Sequence, residues 1–564
     1  MNDELALATV HEAIAETRPD AECLVSGDRR FTWAQVTERT RRLANALGDR
    51  GLGCHTERSA LEGHRSGQDH VAIYLHNGNE YLEVMLGSLK ARVASLNVNY
   101  RYVAEELRYL LTDSAARAVV VHSSFAPTLA EVLPDLPGLE VILQVADDSG
   151  HDLLPGAVWY EDALAAASPE RPDVEWSPDD LYMLYTGGTT GMPKGVMWRN
   201  ADAMRACFGG SPTAETVDDF LAEAQTGLRT LIGPPFMHGA GHWIAFRTWL
   251  GGGTVVVPSV PERLDPADVW STVEREQINF LLIVGDAFAR PLLDELDRGS
   301  YDLSSLAFVL SGGAALSAPL KREFLAHAPH LTVIDGLGSS EAGGQVSHVS
   351  NADGASTGTF EMTEGNVVLS EDLDAVLEPG HEGAGWLAKT GRLALGYLGD
   401  PAKTARTYPV VDGVRYAVPG DRARLLPGGA AGLGIVELHG RDSVTINSGG
   451  EKIFAEEVEA AVKAHPAVYD CVVAGRPSER WGKEVVAVVR IREGHEADDD
   501  ELLAEAERHV ARYKLPKAIV RVDEVVRSPS GKADYRWANR IAADTADTAG
   551  TDDDASRGVT SGTN

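Results

Sequence analysis

The chain has 564 residues, 44% of them hydrophobic and 24% charged, a folded protein too long for a single core. Its formal net charge of −33 argues against nucleic acid or anionic lipid as a partner, and any anionic substrate needs a local positive patch. Four scattered cysteines (Cys23, Cys54, Cys207, Cys471) form no CxxC pair. No signal pattern opens the chain, and no apolar run of about 18 residues occurs, which predicts a cytoplasmic location with no stable membrane insertion.

In chain order, Phe31–Leu47 predicts an amphipathic helix capped by Thr32, with Val36, Leu43 and Leu47 on one side. Gly51–Gln68 reads as an exposed loop, Val71–Leu75 as a strand and Glu80–Val93 as a helix. Ala118–Val121, Val141–Val145, Thr254–Val257, Asn279–Val284 and Leu306–Ser311 read as further buried strands. Glu371–Gly396 is turn-rich, with short apolar pieces, and predicts a small β subdomain. The texture changes near Gly440. Helices are expected at Phe454–His465 and Glu501–Tyr513, and strands at Val468–Ala474 and Val485–Ile491. The fold class is therefore α/β: a large N-terminal domain of α/β sheets with a small β subdomain (1–440), a small mobile α+β C-terminal domain (441–541) and a disordered acidic tail (542–564).

Tyr185–Val196 reads Tyr-Thr-Gly-Gly-Thr-Thr-Gly-Met-Pro-Lys-Gly-Val. Gly187, Gly188 and Gly191 let successive backbone N–H groups turn toward one anion. Thr186, Thr189 and Thr190 add hydroxyl donors, and Lys194 adds a compact charge. The apolar Leu181–Leu184 before it reads as a strand end, which places the loop where a sheet opens onto ligand. The spacing is not that of the Walker loop.

Other segments gain meaning only beside this one. Ser311-Gly312-Gly313-Ala314-Ala315 alone is a strand-to-helix turn, and Glu341 after Ser340 is a helix cap. Gly420-Asp421 is a turn, and Lys532 after Gly531 is a surface lysine.

Together and in this order, from about Phe31 to Arg536, they resemble the adenylate-forming superfamily of acyl-CoA synthetases, luciferases and peptide adenylation domains. The usual pattern has Ser at Gly187, an aromatic residue at Leu337, Thr at Ser340, and Asp or Lys at Ser443. Met183–Arg199 and Asn97–Tyr102 look most like bacterial fatty-acyl-CoA synthetases, including those acting on sterol side-chain acids.

The resemblance implies that a carboxylic acid attacks the α-phosphate of ATP and that coenzyme A then takes the acyl group. It implies catalytic roles for Lys532, Glu341, Thr186 and Lys194, with Glu341 as the Mg²⁺ ligand. Nucleotide binding is expected at Gly312, Gly313, Ala314, Gly336, Leu337, Gly338 and Ser339, with the Ser311–Ala315 segment against adenine, Ser340 at the α-phosphate and Asp421 and Arg441 at the ribose. His238 would wall the acyl site, Gly449, Gly450 and Trp481 would frame thiol entry, and Ser443 would be the domain hinge. A homodimer is compatible with this reading. The alternatives are an acyl-AMP ligase serving a carrier protein, a luciferase-like oxygenase and a non-catalytic nucleotide sensor.

Overall fold

The computed structural model describes residues 4–186, 192–429, 432–448, 451–478 and 481–552, the side chains of Ser443 and 545–552 excepted. The strands Ala94–Asn97, His70–Tyr74, Ala118–His122, Val141–Val145 and Val158–Trp159 align in that order as a parallel sheet. Their near-continuous apolar character is what a sheet covered on both faces requires.

A second sheet has eight strands. In spatial order they are Gly343–Ser350, Thr332–Ser339, Phe308–Gly312, Phe280–Ile283, Arg229–Ile232, Thr254–Val257, Glu22–Ser26 and Arg29–Thr32. Its interior pairings are parallel and its two outermost pairings antiparallel. Leu181–Thr186, Lys194–Arg199 and Gly396–Tyr397 form a short antiparallel sheet that packs into the same cores. The carboxyl ends of Leu181–Thr186, Phe308–Gly312 and Thr332–Ser339 carry three of the predicted site segments, the position where α/β sheets take ligands.

The β subdomain is wider than the stretch 371–396 that suggested it. Thr359–Glu361, Ile435–Arg441, Asp421–Leu426, Ala384–Lys389 and Asn366–Leu369 make an antiparallel sheet with its own core. The chain leaves this sheet at Arg441 and enters another at Thr445. There Glu451–Phe454, Thr445–Ser448, Gly482–Ile491 and Val468–Ser478 pair in order, and Ala518–Arg521 joins in parallel. Separate apolar clusters around Val458, Val473 and Leu502, and around Val472, Val486 and Ala542, hold this part together.

Three expected boundaries differ. The helix expected over 31–47 spans Trp33–Gly48 because Phe31 belongs to the preceding strand; Thr32 and Gln35 close a reciprocal cap, with Gln35 N–H donating to Thr32 Oγ1 at 3.2 Å and Thr32 N–H to Gln35 Oε1 at 2.8 Å. The helix expected over 501–513 spans Asp499–Glu507, since its apolar stripe is short and Val510 reaches the core from a turn. The expected tail from Ala542 begins inside a helix, Tyr535–Asp552. Ala538 and Ala542 are fully buried against Val472 and Val486, a packing role that small side chains conceal in a sequence rich in Asp, Thr and Ala.

Candidate active site

The antiparallel pairing of Leu181–Thr186 with Lys194–Arg199 sets Thr186 opposite Lys194. Gly187, Gly188, Thr189, Thr190 and Gly191 lie outside the described residues. Gly195 must be glycine, because a Cβ there would stand 2.7 Å from the Tyr185 ring. Lys194 Nζ donates to Asp113 Oδ1 at 2.6 Å, and Tyr185 OH donates to Asp113 Oδ2 at 3.0 Å. Burial works against the Lys194 charge, but Asp113 and Tyr109 override it and raise its pKa. Asn97 fixes this hairpin to the next segment: it accepts from Tyr185 N–H at 2.7 Å and donates to the carbonyls of Tyr185 and Met237.

Met237 leads into His238, which precedes the helix Gly239–Leu250. His238 Nε2 is buried and has no hydrogen-bond partner among the described residues. Burial, then the charge of Lys532, drives its pKa down to about 3, so the imidazole is neutral. Behind it, His242 bridges the Phe236 carbonyl at 2.6 Å and Tyr182 OH at 2.5 Å. Trp243 Nε1 donates to the same Tyr182 oxygen at 2.7 Å.

Phe308–Gly312 pairs with Thr332–Ser339 so that Gly312 lies beside Gly336. Gly313, at φ +91°, begins the following turn with Ala314. Leu337 packs toward the β-subdomain core beside Val346 and Phe360, and Gly338 lies so close to Gly343 O that a Cβ would stand 2.6 Å from it. Ser339 to Gly343 is a hairpin turn, not a helix cap. Ser339 Oγ accepts from Ala342 N–H, and Ser340 O accepts from Trp198 Nε1 at 2.8 Å. Tyr397 OH donates to Glu341 Oε1 at 2.7 Å and Tyr408 OH to Glu341 O at 3.2 Å. The Tyr397 bond engages only Oε1 of the Glu341 carboxylate. Among those residues no cluster of three or more His, Cys, Asp and Glu forms a metal site. A single open carboxylate fits Mg²⁺, which commonly takes one or two protein oxygens and completes its shell with substrate phosphates and water.

Asp421 and Arg441 face each other across paired strands, with Arg441 Nε 3.2 Å from Asp421 Oδ1. Asp421 is 3% exposed and its Oδ2 is buried without a partner among the described residues, so it can accept hydroxyl donors such as a ribose diol. Glu456 Oε2 accepts the Arg441 N–H at 2.9 Å. Burial, then the nearby Glu459 charge, lifts the Glu456 pKa to about 7.

Lys532 arrives from the small domain. Its loop is stiff: Ser528 N–H donates to Lys532 O, Lys532 N–H to Ser528 Oγ, and Arg527 to both Gly531 O and Asp470. Lys532 Cε lies 3.7 Å from where a Gly313 Cβ would be. Lys532 is exposed to solvent, yet enough protein surrounds its side chain to disfavour the charge. Burial, then the charge of Arg441, lowers its pKa to about 8, against the opposing pull of Glu341 and Asp421. The structure thus brings Lys532, Gly313, His238, Glu341, Asp421 and Arg441 around one cleft. Trp481, 37% exposed, directly precedes Gly482, which pairs with Ser448; Gly449 and Gly450 lie outside the described residues.

Asp113, Tyr397, Tyr408 and Asn97 escape sequence reasoning about function. Each is a common residue type that matters only through a distant partner. Lys403, stacked 3.9 Å over the Tyr397 ring and facing Glu341, is another.

Residues 11–398 match the AMP-binding enzyme family, and residues 457–532 match the AMP-binding enzyme C-terminal domain. The chain belongs to the AMP-binding enzymes. Among similar proteins, the medium-chain acyl-CoA ligase Mig of Mycobacterium avium is 54% identical over 540 residues, covering 94% of this chain and 97% of its own. The 3-oxocholest-4-en-26-oate–CoA ligase of Rhodococcus rhodochrous is 40% identical, covering 95% of each. Two solved structures share the fold. The anthranilate CoA ligase AuaEII in complex with anthranoyl-AMP superposes with a TM-score of 0.80 at 21% identity, covering 97% and 99%. ATP-bound MatB from Rhodopseudomonas palustris gives 0.77 at 23%, covering 95% and 99%. This AMP-binding enzyme is an AMP-forming acyl-CoA ligase, which joins a carboxylic acid to coenzyme A at the expense of ATP.

Proposed function

We propose that the enzyme activates hydrophobic carboxylic acids of the medium- and long-chain fatty or sterol side-chain kind, and that it works in the cytoplasm. The substrate class is supported by the ligases that resemble it across nearly their whole length. The location is supported by scattered free cysteines and by the absence, among the described residues, of a helix long and apolar enough to cross a membrane.

The observation that carries the mechanism is the approach of Lys532 to Gly313, opposite Glu341, Asp421 and Arg441. Asp421 accepts the ribose hydroxyls and Arg441 holds that carboxylate in place. Thr186, the following glycine-rich turn and Lys194 cradle the β- and γ-phosphates. Glu341 would hold Mg²⁺, which when bound would neutralise phosphate charge. The substrate carboxylate oxygen attacks the α-phosphorus, the bond to pyrophosphate breaks, and negative charge builds on the phosphoryl oxygens. Lys532, already in place, stabilises that charge. His238, neutral at working pH, walls the acyl side. In the second step the thiol sulfur bonds to the acyl carbon, AMP leaves with the bonding pair and the thiol proton passes to solvent. A small-domain rotation about Ser443 would withdraw Lys532 and present Gly449, Gly450 and Trp481 to the thiol.

A pyrophosphate-release screen over acids graded in length and ring content, with and without coenzyme A, tests this. Long apolar acids giving both pyrophosphate and free thioester are expected. Preference for short polar acids would overturn the substrate class, and pyrophosphate without free thioester would favour carrier loading.

A further inference from the structure

Among the described residues, Lys452–Glu371 and Lys463–Asp286 are ion pairs between the small domain beyond Arg441 and the large domain. Lys452–Glu371 is exposed, whereas Lys463–Asp286, at 2.8 Å, has side chains only 16% and 12% exposed. Lys463 lies in the last turn of the helix Ala455–Lys463, and Asp286 in the first turn of Gly285–Leu296. Asp286 has a second task. Its Oδ1 accepts the Ser317 N–H at 2.7 Å, and its own N–H donates to Ala315 O at 3.1 Å. Both bonds brace the turn that starts at Gly313, directly beneath Lys532. Gly531 rests on the same helix start: at φ +72°, a Cβ there would stand 3.1 Å from Val284 O and 3.3 Å from Ala287 Cβ. One carboxylate therefore joins the nucleotide-side turn to the platform on which the Lys532 loop sits. Burial works to raise the Asp286 pKa, but the Lys463 charge and hydrogen bond and the Ser317 N–H hold it below the usual carboxylate range, so the pair stays ionised near neutral pH.

We propose that Lys463 and Asp286 are a positioning pair that selects the small-domain orientation for acyl-adenylate formation. The proposal rests on the assignment of Lys532 to that step. A contact made in one orientation and lost in the other shifts the population toward the first. Neither residue touches the reacting atoms; they act by holding Lys532 over Gly313.

The test separates the half-reactions in the full-length enzyme. Lys463→Met should slow single-turnover pyrophosphate release about 10-fold, corresponding to about 1.4 kcal/mol of lost bias toward that orientation. It should leave conversion of supplied acyl-AMP and coenzyme A to thioester unchanged, which also reports an intact fold. Lys463→Arg should restore most of the first rate. Asp286→Asn, which still accepts from Ser317, should behave like Lys463→Met, and the double variant should be no slower than either single. Equal losses in both half-reactions, or no loss in the first, would overturn the positioning role. Lys532→Ala run alongside distinguishes the two layers: full pyrophosphate release from that variant would mean the underlying assignment had failed instead.

Discussion

Glu341 is gripped by Tyr397 at its carboxylate and by Tyr408 at its carbonyl, and Lys194 by Asp113, all from elements woven into sheets or packed on them. Lys532 reaches the same cleft from a loop that is tightly bonded within itself and is seated on the large domain at Gly531, beside the Lys463–Asp286 pair. The large-domain half is thus immobilised by its neighbours, and the small-domain half is rigid as a unit and docked from a separate domain. A group needed in both steps gains from being fixed; a group needed in one step gains from being removable.

The largest test of this contrast removes the docked group. Lys532→Ala should lower the rate of acyl-AMP formation about 100-fold or more, while thioester formation from supplied acyl-AMP persists. Comparable losses in both steps would erase the distinction between the halves. Restraining the connection should do the reverse. Ser443→Pro should spare acyl-AMP formation and slow thioester formation about 10-fold, as measured by single-turnover assays of each step. The contrast also has a pH signature. A lysine whose pKa has fallen to about 8 is charged below that pH and loses its charge as pH rises through it. kcat/KM for ATP in the first half-reaction should therefore fall about 10-fold per unit above about pH 8, since this parameter reports the free enzyme. A flat profile in that range would mean the ammonium form of Lys532 is not required. The smallest effect belongs to the immobilised half: Tyr397→Phe removes one bond to Glu341 but leaves the Tyr408 contact, and should raise the Mg²⁺ needed for half-maximal rate about 3-fold to 10-fold.

What the sequence discloses follows from how local each requirement is. The glycines and hydroxyls of Tyr185–Val196 stand in a row, so the segment proposed to hold phosphate is legible between two strands without help from the rest of the chain. Buried parallel strands reveal themselves by apolar runs such as Ala118–His122. The bracing of the site is a different matter. Lys194 and Asp113 are 81 residues apart, Glu341 and Tyr397 are 56 apart, and Lys463 and Asp286 are 177 apart. Nothing in the local pattern marks any of these partners, because topology alone brings them together. The helix over 535–552 was hidden for another reason: alanines that seal a small core look like those of an unstructured tail.

The Asp113 contact carries a further consequence for ligand choice. An anion arriving at Lys194 meets an ammonium whose charge is already answered from within, so binding is an exchange of one oxyanion for another. A lone monovalent ion has little to gain from that exchange. A chelating polyphosphate, which can engage several backbone donors at once, has much more. On the phosphate role proposed for Lys194, and in a chain of net charge −33, such a tether would favour multivalent guests over the ordinary salts of its surroundings.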